Sequence, residues 1–490
     1  MSEHRIAPDH ELKGWPAGVK YIVGNEGAER FSFYGMKAIL YVYLTVLIQT
    51  SGLVEEAAKA GATAKVHLFI AGVYAFPVLG AILADKLLGK YQTIISLSLV
   101  YVAGHAFMAI FENDLTGTYA GLALIAIGAG GIKPCVSAHV GDQFGRSNWH
   151  LINKVFQAFY FIINFGSVFS TLLVPWLYAE FNATVAFGVP GVLMAIATFV
   201  FWMGRHDFVH VPASPGGKLG FLDTVVGFLL FVPLFMLLFA PSSGITEGWL
   251  RGVGSLVGVT LALMVFGYRQ RIKEDDGFLA VLVYSVRSMM GSPRHEVGTA
   301  GTSTSDAPIA KHWFFGPAAA KYGDEAAEGP LAVFRIVSVF SFVSVFWMLF
   351  DQHASTWVEQ AKQMDRNLGF WNPLPSQVSA VNPIMVMILI PLLTFIVFPG
   401  IERRGLRLTP LRKMSAGMLL AGTAFVAVAL LQAKIEAEGV GTVSIGWQLI
   451  PYWLMTLSEV LVSITGLEFA YTQAPQRMQS SVMSFWLLCV

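Results

Sequence analysis

Charge is scarce in this chain. Only 13% of its 490 residues are Asp, Glu, Lys or Arg, against about 25% in an average soluble domain. The net charge is +1, so no polyanion partner is implied and nucleic acid is set aside. Cysteine is equally thin. Cys135 and Cys489 are the only two, and both sit in apolar runs, which suggests neither a disulfide framework nor a zinc site. No H-E-x-x-H occurs and no His/Asp cluster lies within the apolar runs, so no metal ligand and no catalytic residue is assigned, and no enzyme is expected. The N-terminal MSEHRIAPDHELKGWPAG has no apolar h-region. A cleaved signal peptide is not expected, and the first span itself would direct insertion.

What the chain has in abundance is apolar sequence: 55% of residues are hydrophobic and the mean hydropathy is +0.61. Apolar runs of spanning length fall at about 21–50, 67–85, 92–111, 117–138, 155–178, 184–204, 220–241, 248–268, 331–352, 378–399, 414–433 and 447–470. This is the pattern of an all-α polytopic membrane protein. A further run begins at SSVMSFWLLCV. It is shorter than the roughly 20 residues a span needs, so the chain is expected to stop inside a helix.

Basic residues follow alternate loops. One set holds Lys86 and Lys90, Arg146 and Lys154, Arg205 and Lys218, Arg269 to Arg287, and Arg403 to Lys413. By the positive-inside rule this set, and with it the N-terminus, is expected in the cytoplasm. The stretch 291–330 is rich in Gly, Ser, Thr, Ala and Pro and reads as a cytoplasmic linker, partly disordered. Tight basic turns, GAILADKLLGKY and PGIERRGLRLTPLRK, recur at matching places in two six-helix blocks. The expected organisation is a first block over 1–206, an inserted helix pair over 207–290, the linker, and a second block over 331–490, incomplete at its end. Gly80, Ala84, Asp85, Gly89 and Lys90 resemble the loop signature of the major facilitator superfamily.

The first span carries GNEGAERFSFYGMKAIL. A charge at mid-bilayer costs about 2.5–3.5 kcal/mol on insertion scales, so charges here should face protein or water and pair. At roughly 100° per residue, Glu26, Arg30, Tyr34 and Lys37 share one stripe, with Glu29 and Phe33 beside it. The other face holds Ala28, Phe31, Gly35 and Ile39. A plainer role for Glu26, Glu29 and Arg30 is as anchors at the membrane mouth. Lys133 ends a run in which Gly128, Gly130 and Gly131 permit close helix approach and Pro134 is expected to kink the helix. Asp351 and Glu459 lie within apolar runs of the second block. They offer partners to Lys37 and Lys133, and charge pairs across a two-fold interface suit alternating access.

Glu26-Gly-Ala-Glu29-Arg30-Phe31-Ser32-Phe33-Tyr34 resembles the Glu-x-x-Glu-Arg-Phe-x-Tyr-Tyr motif of proton-dependent oligopeptide transporters, with Phe33 where the family usually has its first Tyr. The resemblance continues in GGIKPCVSAHVGDQF, FYFIINFGSVFS, FWMLFDQHASTW and SEVLVSITGLEFAYTQAP, in family order. The inserted helix pair is similar to that of bacterial members. AKIEAEGVGTVSIGW is too short for the animal members' extracellular domain.

The resemblance implies proton-coupled import of di- and tripeptides across a bacterial inner membrane, with protons as coupling ion and no other cofactor. It implies that Glu26, Glu29 and Arg30 couple protons. Arg30, with Lys133, would hold the peptide carboxylate, and Glu459 the α-amino group. Asn164, Asn382, Tyr34, Tyr74, Tyr160, Trp347, Trp486 and Ser463 would complete the pocket. Lys37 with Asp351 is similar to an outer gate pair in which the family more often has Arg at the position of Lys37. Plainer roles exist beside these: helix–helix hydrogen bonds for Asn164 and Asn382, packing for Trp347, Trp486 and Tyr74, and a structural place for His139. A same-fold transporter of another anion such as nitrate is the competing reading. Glu459 argues against it, because a simple anion has no ammonium to neutralise.

Overall fold

The computed structural model describes residues 5–274, 276–291, 308–466, 469 and 485–490, without the side chains of 152–154, 156–157, 160, 242 and 243. Helix is the only regular structure among them, beyond two isolated bridges, Arg5 with Val209 and Asp365 with Ser444. Among the described residues, 11 helices are long and apolar enough to cross a membrane. The all-α expectation therefore holds.

The first helices are α1 (Val19–Thr50), α2 (Glu55–Leu83), α3 (Lys90–Ile110), α4 (Leu115–Gly141), α5 (Ile152–Glu180) and α6 (Ala183–Met203). Their ends are written in local chemistry. The Asp114 carboxylate accepts from Gly117 N at 2.6 Å and caps α4, and the Asn182 amide oxygen accepts from Val185 N at 2.9 Å and caps α6; each satisfies an orphan donor of the first turn. The second group is α7 (Gly217–Leu238), α8 (Gly248–Ile272), α9 (Phe278–Met289), α10 (Gly316–Tyr322) and α11 (Asp324–Phe350). The last is α12 (Thr356–Lys362), α13 (Val381–Leu392), α14 (Phe398–Arg403), α15 (Pro410–Glu438) and α16 (Leu449–Glu459).

The chain divides into two compact units. One comprises Met1–Gly220, Phe346–Gly466 and Val490; the other comprises Phe221–Val345 and Leu467–Cys489. In the second unit, the Arg269 Nε donates to Asp223 Oδ1 at 2.7 Å and ties α8 to α7. Of the stretch read as a linker, residues 308–330 are folded and contribute α10 and the start of α11, while 292–307 lie outside the described residues.

In the first unit, α2 and α4 touch backbone to backbone. A Cβ on Gly80 would lie 2.1 Å from the Gly130 carbonyl oxygen, and one on Gly128 would lie 2.6 Å from Tyr101 Cβ on α3. Small residues are how helices approach so closely where no water drives them together. The turn after α2 is tight, as read from the sequence. Ala84–Leu88 continues as π-helix, and the reversal is made at Gly89, whose φ is +81°. Gly405, also at φ +81°, makes the matching reversal after α14, a backbone state that glycine adopts without steric penalty.

Candidate functional site

The stripe on α1 forms as the helical period predicts, but the helix is buried on more than that face. Ala28, Gly35 and Ile39 of the apolar side are buried as well, with Gly35 against Val174 and Ser170 of α5. Ser32 Oγ donates to the Pro190 carbonyl of α6 at 2.8 Å. Helix α1 is thus enclosed by protein, which is why it tolerates so many charges.

Those charges are paired. Arg30 Nε donates to Glu26 Oε1 at 2.8 Å and stands 3.4 Å from Glu29 Oε2. Lys133 Nζ lies 3.3 Å from Glu29 Oε1. Glu29 is fully buried and sits between two cations. Neither its oxygens nor Lys133 Nζ completes a hydrogen bond among the described residues, so these contacts are ionic and leave donor and acceptor capacity in place. The expectation that Lys133 faces an acid of the second block is corrected here: its partner is Glu29. Glycine packing at Gly128, Gly130 and Gly131 sets the Lys133 turn of α4 against α2 and α3, within reach of Glu29.

Lys37 pairs as expected. Its Nζ donates to Asp351 Oδ1 at 2.9 Å, and both side chains are buried. A second ion cluster, which sequence reasoning missed, also joins the first helices to α12. Glu359 Oε1 lies 3.0 Å from Lys59 Nζ, and Glu359 Oε2 lies 3.0 Å from Lys362 Nζ. Tyr41 Oη donates to Glu359 Oε2 at 3.4 Å, a weak bond. Lys59 also reaches Glu55 at 2.9 Å. Charge near a span's end is ordinary, and nothing in the pattern at Glu359 distinguishes it.

Glu459 has a different environment. Asn382 Nδ2 donates to Glu459 Oε2 at 2.7 Å and to Thr456 Oγ1 at 3.1 Å. No basic side chain forms an ion pair with Glu459 among the described residues. Immediately after it the helix loosens into a π-helical segment, Val460–Ile464, which carries the half-buried Ser463; such segments are frequent at functional sites. Tyr34 is half-buried beside Phe33, with ring centroids 5.3 Å apart.

The remaining assigned residues divide. Tyr74 is half-buried and meets Phe33 edge-on, with ring centroids 6.5 Å apart. Asn164 is buried on α5. Trp347 stacks edge-to-face on Phe346 and Phe350, and its buried Nε1 has no partner among the described residues. Trp486 belongs to the other unit, where it packs on Phe340 at 5.1 Å. The Tyr160 side chain lies outside the described residues. His139 is buried against Phe201 and Phe208. No group of three or more His, Cys, Asp or Glu that could hold a metal exists among the described residues.

The chain as a whole is similar to known proteins. The family model described as the POT family matches residues 91–242 and 310–489. Human "Solute carrier family 15 member 2" is 32% identical over 436 residues, covering 86% of this chain and 50% of that protein. "Peptide transporter 3" of Caenorhabditis elegans is 31% identical over 440 residues, 87% of this chain and 52% of that one. The chain spans about half the length of these curated relatives. The in meso crystal structure of the POT family transporter PepTSo is similar with a TM-score of 0.73 and 40% identity, covering 97% of this chain and 87% of that one.

Proposed function

This chain belongs to the POT family, and on that premise we propose that it is a proton-coupled symporter that imports di- and tripeptides by alternating access. The observation that carries the reading is the pair of unlike charge centres in one compact unit. One is Arg30 and Lys133 with their shared Glu29; the other is Glu459, held by Asn382 and lacking a basic partner among the described residues.

A dipeptide is a zwitterion. Its carboxylate calls for Arg or Lys and its ammonium for a carboxylate. Asn amides serve the peptide bond without reading side chains, and Tyr and Trp line roomy apolar pockets. In the proposed cycle, protons enter from outside onto Glu29 or Glu26, which frees Arg30 and Lys133 for the peptide carboxylate while Glu459 takes the amino group. The Lys37–Asp351 pair closes the outer side, and the Glu359 cluster closes with it. On the inner side the proton leaves, the carboxylate returns to Arg30, and the peptide is displaced.

The blocks that rock in this scheme are 1–206 and 331–490, with 207–290 as an inserted pair and 291–330 as linker. The N-terminus lies in the cytoplasm of a bacterial cell, and the coupling ion is the proton, with no other cofactor. The test is uptake into proteoliposomes under an inward proton gradient, across free amino acids and di-, tri- and tetrapeptides. Di- and tripeptides should accumulate. Dialanine should displace labelled peptide, and nitrate should not. Accumulation of nitrate without peptide would overturn the reading.

A further inference from the structure

Phe33 departs from the family's usual Tyr, and its surroundings assign the ring a task. Lys133 Nζ stands 4.4 Å from the centroid of the Phe33 ring and 5.6 Å from that of Tyr74. Phe33 has no exposed surface. Its ring is fixed by Tyr34 at 5.3 Å, Phe69 at 6.4 Å and Tyr74 at 6.5 Å. The Lys133 side chain is only 2% exposed, and its ammonium makes no hydrogen bond among the described residues. Besides Glu29 at 3.3 Å, ring faces are what hold it. A cation over an aromatic face is attracted by the ring quadrupole, more strongly when water is excluded.

We propose that Phe33 is a positioning residue for the carboxylate-binding centre: its ring face holds the Lys133 ammonium in place when Glu29 no longer does. The proposal rests on the peptide reading only for the identity of the anion that Lys133 meets. The chemistry favours Phe for this task. Its ring neither titrates nor donates, so its hold does not change when Glu29 gains a proton. A phenol at the same place would add a hydroxyl to compete for Glu29 or for substrate.

The test replaces Phe33 with phenylalanines of increasing ring fluorination, which keep the shape and progressively remove the quadrupole. Two readouts are taken on the full chain: KM and kcat for dialanine in proteoliposomes, and the thermal unfolding temperature without substrate. The expected result is a stepwise rise in KM, reaching about three- to thirtyfold with kcat little changed, and a stepwise fall in unfolding temperature. Both trends should vanish in a Lys133→Gln background. Phe33→Tyr, which keeps a ring face, should lose far less than Phe33→Leu. Flat KM and flat unfolding temperature across the series overturn the proposal, as does a trend that persists without Lys133. If the parent chain takes up no peptide while the unfolding trend still depends on Lys133, the peptide reading fails and the Phe33–Lys133 contact stands.

Discussion

Lys37 and Asp351 are 314 residues apart in the chain, and their side chains meet at 2.9 Å. Both are nine-tenths buried. Removing one partner of a buried pair strands the other charge, which typically costs about 3–5 kcal/mol. Asp351→Ala should therefore lower the unfolding temperature markedly and slow uptake. The charge-swapped double variant Lys37→Asp with Asp351→Lys should recover part of both. Thermal unfolding and proteoliposome uptake on the same preparations check this, and an unaltered Asp351→Ala would refute it.

Lysine makes a single-point contact at this pair, where Arg offers a bidentate one. Lys37→Arg should hold the outer side closed longer. The expected signature is a several-fold lower kcat for uptake with KM unchanged or lower, measured by initial rates over a range of dialanine concentrations.

The Glu359 cluster is more exposed, with Glu359 and Lys59 side chains at 26% and 32%. Partly exposed pairs are worth about 0–1 kcal/mol and are screened by salt. Glu359→Gln should leave the unfolding temperature within a few degrees of the parent while speeding peptide exchange. Added salt should speed the parent but not the variant.

At Glu459 the expected loss is in substrate affinity. Glu459→Gln removes the charge that would neutralise a peptide ammonium, and the Asn382 bond at 2.7 Å survives in neutral form. KM for dialanine should rise by about tenfold or more, the effect of losing a charge-assisted contact of roughly 1.5–3 kcal/mol. An N-acetylated dipeptide should compete no worse against the variant than against the parent. Equal discrimination by both proteins would remove Glu459 from the site.

Much of this arrangement was legible because intramembrane charge is costly. Four charged residues in one apolar run had to gather on one helical stripe, and the stripe of Glu26, Arg30 and Lys37 follows from the period alone. The same rule called for Asp351 and Glu459 as partners for Lys37 and Lys133, and the family resemblance singled out Asp351 for Lys37. For Lys133 the rule pointed to an acid of the second block, where the structure has Glu29. That choice depends on how deeply α4 lies against α2, and so on the approach at Gly80 and Gly130, which is long-range packing rather than local pattern. The π-helical turns at Ala84–Leu88, Leu393–Val397 and Val460–Ile464 left no periodic signal. Neither did the ring beneath Lys133, because an apolar Phe on a membrane helix looks like any other.

Glu29 stands at the centre of the proposed coupling. It is fully buried and shared between Arg30 at 3.4 Å and Lys133 at 3.3 Å, whereas Glu26 answers to Arg30. The most direct measurement compares gradient-driven accumulation with peptide-for-peptide exchange in proteoliposomes bearing Glu29→Gln, beside Glu26→Gln. The prediction is that Glu29→Gln abolishes accumulation and keeps exchange, and that Glu26→Gln is the milder change. Accumulation that survives Glu29→Gln undiminished would contradict the proton role assigned to this residue.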